Sequence, residues 1–331
     1  MRVVGKLWEI GEALSTVLER VRLLGRQPNV FHPSPDEIRD EAERYGVKTR
    51  FGSINFVSSV KNRSAQLTVI VGSSKVAQRR LTPEQARILE SLPDTLEKVH
   101  SYMEKAPFVC VERRMGDNPH FAPHCTLYVS VHRREMIRLA YMFWLSLFDP
   151  RGDERPSLYV VDIPEWHEKD RQILVFPEIG VTYILGSDYY GEVKKGFLRM
   201  AMWRAKQEGM LGLHAGSKIV RARDRDGRIR RYGMLILGLT ATGKTTHTYG
   251  LLRSGEVRVV ADDWFFVRIF GRDVLAFGSE KNFYIRADIA KIWGEYERLV
   301  EGAEFDPAGR AVVNVRWIVG KGRVIPMTTM R

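Results

Sequence analysis

Residues Arg231–Leu252, RYGMLILGLTATGKTTHTYGLL, decide how the rest of the chain is read. The stretch opens on an apolar strand, Met234–Leu237, turns through Gly238-Leu-Thr-Ala-Thr-Gly243-Lys244-Thr245, and continues into a segment of helical character. Strand, glycine-bounded loop and helix in that order are what a phosphate-binding loop requires. The glycines let backbone N–H groups wrap an anion, Lys244 neutralises β- and γ-phosphate oxygens, and the Thr245 hydroxyl is placed for Mg²⁺. The expected nucleotide contacts are therefore Gly238, Thr240, Thr242, Gly243, Lys244, Thr245 and Thr246.

Downstream, VRVVADDWFFV (Val257–Val267) is a β-branched strand that delivers Asp262 and Asp263 side by side at its end. Two adjacent carboxylates repel unless a cation or a base offsets them. A carboxylate there suits the metal of a bound nucleotide, or the water around it.

Outward from this core the grammar is mixed α/β. Apolar residues recur at helical spacing from Leu7 to Leu24, before a break at Pro28 and Pro33, and again over Pro83–Leu92 and Arg134–Leu147. Ala65–Val71 is short and β-branched. SLYVVDI, ILVFP and VTYILG, from Ser157 onward, read as strands bounded by Pro, Gly or charged residues. Lys195–Gly209 reads as a helix. RARDRDGRIRR (Arg221–Arg231) reads as an exposed hairpin turning on Asp-Gly, with its charges in solvent. The segment DPRGDERP near residue 150 predicts a division into an N-terminal α/β lobe, 1–150, and a nucleotide- and metal-binding core, 151–331.

The chain has 331 residues, 44% of them apolar, which excludes a disordered polymer. Lys and Arg number 52 against 40 Asp and Glu, a formal charge of +12 that favours anionic partners. The basic residues are scattered and no nucleic-acid module accompanies them, so a nucleotide and a small anionic metabolite fit better than nucleic acid. Neither cysteine, Cys110 or Cys125, has metal or redox spacing, and no apolar run spans a bilayer. The expectation is a cytoplasmic protein with reduced thiols and no membrane partner. Nothing in the sequence indicates its oligomeric state.

Four blocks, in order, resemble the ATP-dependent phosphoenolpyruvate carboxykinases. Tyr189-Tyr-Gly-Glu-Val-Lys-Lys195-Gly196 is similar to the family's Y-x-G-E-M-K-K-G, and Gly212-Leu-His214-Ala-Gly-Ser217 to its M-H-C-S-A. GLTATGKTT is similar to GLSGTGKTT, and ADDW to GDDE. Fainter likenesses are Ser279–Arg286, Asn314-Val-Arg316 and Asn62-Arg63-Ser64. The dense part spans Gly186 to Arg316.

The resemblance implies a carboxykinase-like mixed sheet carrying the phosphate loop, preceded by the N-terminal lobe. It also implies ligation of Mn²⁺ by Lys195, His214 and Asp263, and of the nucleotide's Mg²⁺ by Thr245. An amine ligates only when neutral, so Lys194 next door and the metal itself are expected to supply the charge that depresses Lys195. Lys244 and Arg316 would hold the β- and γ-phosphates, Arg286 would sit near the nucleotide, Tyr189 would touch the organic substrate, and Arg63 would grip its carboxylate. In that family oxaloacetate loses CO₂ and the enolate takes the γ-phosphoryl group of ATP.

The family continues past the point matching Arg331 with a segment that holds much of the base pocket, which leaves ATP and GTP both open. Ala241 and Trp264 also depart from the family's Gly and acid. The alternative is a kinase on the same core, acting on a hydroxylated metabolite or a protein serine as the phosphocarrier-protein kinases do. Asp262 would then be its general base.

Overall fold

The computed structural model describes residues 2–48, 54–56, 58–59, 65–76, 78, 80–152, 157–238, 242–249, 256–261, 264–271 and 273–282. In chain order its elements begin with α1 (Arg2–Leu24), β1 (Val30–Phe31), α2 (Pro35–Glu43), β2 (Val47–Lys48), β3 (Ile54–Asn55) and β4 (Thr68–Ile70). Next come α3 (Pro83–Glu90), α4 (Leu92–Met103), β5 (Phe108–Arg114), β6 (His124–Ser130), α5 (Ile137–Ser146), β7 (Leu158–Ile163), β8 (Gln172–Phe176) and β9 (Val181–Leu185). The last group is α6 (Tyr190–Gln207), β10 (Leu211–Arg223), β11 (Ile229–Leu237), α7 (Lys244–Tyr249), β12 (Val257–Ala261), β13 (Trp264–Phe270) and β14 (Asp273–Gly278).

The first sheet has seven strands in the order β1-β5-β6-β7-β9-β8-β4. Its inner strands β6 to β9 are buried along their whole length, because helices cover both faces and each face needs an apolar set. Leu127, Val129, Val160 and Ile184 face the cluster containing α5 and α6. Tyr128, Val161, Leu174 and Tyr183 face the cluster containing α1 and α4. β7, β8 and β9 join β4, β5 and β6 in this one sheet, so residue 150 falls inside it. The two larger sheets part instead at the α6–β10 connection.

The second sheet is antiparallel, in the order β11-β10-β13-β14, with β12 also paired to β10. Its Phe266 and Phe277 enter the same core as α5 and α6, so α6 lies between the sheets. Two local features hold α6 there. Gly196 lets the helix sit against the first sheet, where a Cβ would stand 3.2 Å from Val160 Cγ2 and 3.3 Å from Thr182 Cγ2. At its end Gly209 takes a left-handed turn (φ 75°) and Met210 N–H donates to the Ala205 carbonyl (2.8 Å). That closure reverses the chain directly into β10.

Candidate active site

The long strand β10 organises the site, because its register aligns three segments far apart in sequence. Ala215 pairs with Leu237 and Ser217 with Leu235, so the residue before the phosphate loop stands beside β10. On the other edge Ser217 pairs with Ala261 and His214 with Trp264. The loop's entry, His214 and both flanks of residues 262–263 thus lie within roughly 10 Å along one strand.

Gly238 opens the loop. A Cβ on it would meet Thr242 Oγ1 at 2.4 Å, so any side chain here forces Thr242 to move. Gly243 has φ 89°, in the region that favours glycine, and α7 starts at the next residue. Lys244 Nζ donates to the Gly238 carbonyl (2.8 Å), so the ammonium lies back across the loop's mouth. The backbones of Thr245 and Thr246 fall in the first turn of α7. There the N–H groups of a helix lack internal partners and point toward an anion.

The α6 side supplies the charges. Tyr189 is the residue before the helix, and its ring lies over Gly191, where a Cβ would fall 2.3 Å from the ring. Lys195 Nζ stands 5.6 Å from the centre of that ring and 3.1 Å from Glu192 Oε1. Glu192 is fully buried and also faces Arg199 at 3.7 Å. Lys194, one position before Lys195, projects elsewhere and pairs with the buried Glu280 at 2.9 Å.

A chain of contacts runs from Lys194 to His214. Ser279, next to Glu280, donates through its backbone N–H (3.3 Å) and its hydroxyl (3.1 Å) to the Trp264 carbonyl. The Trp264 ring stacks on His214, with centroids 5.3 Å apart and planes 12° from parallel. The second sheet and α6 therefore meet at the His214 end of β10.

A model of the phosphoenolpyruvate carboxykinase family matches residues 29–287, which include all of this geometry. The chain belongs to that family. It is similar to the phosphoenolpyruvate carboxykinase (ATP) of Aeropyrum pernix, with 33% identity over 266 residues, 78% of this chain and 49% of that protein. The chain thus spans about half the length of this carboxykinase relative.

Of the expected site residues, Tyr189, Lys194, Lys195, His214, Gly238, Thr242, Gly243, Lys244, Thr245 and Thr246 are carried by elements that meet near β10. Arg63, Thr240, Asp262, Asp263, Arg286 and Arg316 lie outside the described residues. One expectation is corrected. The nearest charge to Lys195 is the carboxylate of Glu192 rather than the ammonium of Lys194. Residues three apart share a helix face, whereas adjacent residues diverge.

The donor types of the carboxykinase metal set remain suitable. Lys195 presents an amine beside Tyr189, and His214 presents an imidazole on the exposed side of Trp264, ligands that suit a transition metal. Among the described residues no cluster of three His, Cys, Asp or Glu side chains forms a metal site by itself. None of their helices is long and apolar enough to cross a membrane. Cys110 and Cys125 are free and buried, and burial pushes the Cys110 thiol up to about 12.

Three groups behind the site were not singled out in the sequence. Arg138 of α5 donates to the Asp188 carbonyl (3.0 Å) and carboxylate (2.8 Å), and both side chains are almost wholly enclosed. Ser58 Oγ and Ser59 N–H also donate to that carboxylate. Burial, with Glu165, Asp188 and Glu192 nearby, holds the fully enclosed Asp162 well above the usual carboxylate range, against the pull of Arg138. Lys218 of β10 reaches the phosphate-loop helix. A lone Arg, Asp or Lys carries no spacing signal, so only the fold reveals these partners.

Proposed function

We propose that the chain catalyses metal- and nucleotide-dependent phosphoryl transfer of the carboxykinase type, converting oxaloacetate and ATP to phosphoenolpyruvate, CO₂ and ADP. The observation that carries the reading is the register of β10, which sets the phosphate loop and His214 side by side and brings Trp264, with Glu280 and Lys194 behind it, to the same point. The family match supports the same assignment.

In this reading Lys244 exchanges its bond to the Gly238 carbonyl for the β- and γ-phosphates, and the N–H groups of the first turn of α7 hold the same anion. Thr245 would hold Mg²⁺, and Lys195, His214 and Asp263 would hold Mn²⁺, which would supply positive charge for the developing enolate. Tyr189 would orient the organic acid and Arg63 would bind its carboxylate, while Arg316 would join Lys244 on the phosphates and Arg286 would serve the nucleotide. The C–C bond to the leaving carboxylate breaks, its electron pair passes into the enolate, and the enolate oxygen attacks the γ-phosphorus as the bond to ADP breaks. CO₂ leaves as a neutral molecule, whereas the enolate, the transferred phosphoryl group and the departing ADP are anionic, so the catalytic work is positioning and charge stabilisation.

ATP rather than GTP follows the relative's description. A cytoplasmic setting accords with buried free thiols and a small-metabolite reaction. The test is a coupled assay with ATP, Mg²⁺, Mn²⁺ and oxaloacetate, with Lys244→Ala as control. Phosphoenolpyruvate formed by the wild type and lost in the variant is the expected result. ADP release only with a hydroxylated acceptor would overturn the assignment in favour of a kinase.

A further inference from the structure

We infer that Lys218 is a positioning residue for the phosphate loop, anchoring helix α7 to β10 through the His247 carbonyl. The inference rests on the phosphate-loop reading above.

The helix needs an anchor. Most of a helix's stability in a folded protein comes from tertiary packing, and the described residues of α7 pack against β10 and β11. Lys218 Nζ donates to the His247 carbonyl at 2.6 Å from a residue that is only 8% exposed, joining β10 to α7 across 29 residues of sequence. Burial lowers the affinity of Lys218 for its proton, so the ammonium is held there at a desolvation cost.

A second contact fixes the same helix two residues earlier on β10. Gly216 faces Thr248, and a Cβ on Gly216 would fall 1.7 Å from Thr248 Oγ1. Thr248 Oγ1 in turn donates to the carbonyl of Lys244 (2.9 Å), tying Thr248 to the first residue of α7. Alternate residues of a strand share a face. His214, Gly216 and Lys218 therefore form one row on β10, the first at the expected metal site and the other two seating the helix that carries Lys244. Displacing α7 moves Lys244 and the loop's N–H groups relative to His214.

The test compares Lys218→Met, Lys218→Gln and Lys218→Arg with the wild type. Calorimetric titration with Mg-ATP, steady-state KM values for ATP and oxaloacetate, and amide exchange of α7 are read on each. A hydrogen bond from a charged donor is worth enough that Lys218→Met should weaken ATP by about ten- to a hundredfold, with the oxaloacetate KM within about twofold. Lys218→Arg, which keeps the charged donor, should recover part of that loss. A role in filling space alone predicts the opposite order, with methionine the better replacement. If Lys218→Met does not fold, the same ordering is read between Arg and Gln. Unchanged ATP affinity with unchanged exchange protection at His247 and Thr248 would overturn the inference. A wild type that binds no ATP would instead sink the phosphate-loop reading, and the α7 exchange data would still decide whether Lys218 anchors the helix.

Discussion

Removing Arg138 should cost the protein about 3–5 kcal/mol of stability and disturb Tyr189 at a distance. The magnitude follows from the local accounting. Arg138 makes two charge-assisted bonds to Asp188, at 3.0 and 2.8 Å, with side chains 5% and 3% exposed. Each such bond contributes about 1.5–3 kcal/mol, and Arg138→Met leaves a buried carboxylate that has lost its charged partner while Ser58 and Ser59 still donate to it. Urea unfolding monitored by circular dichroism reads the loss. Asp188→Asn alone should be comparably harmful, because it strands a buried guanidinium. The double variant should recover about 2 kcal/mol or more relative to the sum of the singles. Asp188 directly precedes Tyr189, so the folded fraction of Arg138→Met should also show a raised KM for the organic acid. A loss below about 1 kcal/mol with additive singles would refute the reasoning, since no buried pair of this geometry would then be at work.

Gly216→Ala places a methyl where Thr248 Oγ1 stands, so it should lower ATP affinity by about tenfold or more while far-UV circular dichroism stays near wild type. Gly238→Ala should likewise abolish tight ATP binding, because its Cβ would overlap Thr242 Oγ1, and calorimetric titration checks both. Asp162 is protonated in the fold above its usual range, so the folded state binds more protons than the unfolded chain over that interval. Stability is then largest below the unfolded carboxylate range and falls as pH rises toward the folded value. Asp162→Asn should flatten that slope and raise the thermal midpoint at neutral pH, and a steeper slope in thermal scans across pH would exclude this account.

The strands and helices that the sequence makes legible are those with a clean period or a strong punctuation mark. β7, β8 and β9 coincide with SLYVVDI, ILVFP and VTYILG, and the Asp226-Gly227 turn closes the β10–β11 hairpin with Gly227 at φ 79°. β5 is hidden in the sequence because FVCVERR mixes charge into a buried strand whose Arg113 and Arg114 pair with Asp149 and Asp117. A boundary at residue 150 was suggested by Pro, Gly and charge, yet strand pairing runs across it. Composition marks loops, not the edges of sheets. For the site, the loop residues and His214 are legible because their spacing carries the chemistry. Arg138, Asp188, Lys218 and Gly216 act through contacts 29 to 50 residues apart, which no local pattern records.

The paired lysines of α6 show why a motif needs its helix. Successive residues on a helix diverge by about 100°, so Lys194 and Lys195 cannot serve one site equally. Lys194 turns toward the second sheet, where Glu280 receives it beneath Tyr190 and Phe197. Lys195 turns with Glu192 and Arg199 toward Tyr189. The first lysine therefore joins α6 to the strand that holds Trp264 against His214, and the second offers its amine on the open side. If both were interchangeable ligands, Lys194→Met would mimic Lys195→Met. The geometry instead requires Lys194→Met to loosen the seating of the second sheet on α6, leaving Glu280 buried without its ion pair, and Lys195→Met to spare stability while removing metal-dependent turnover.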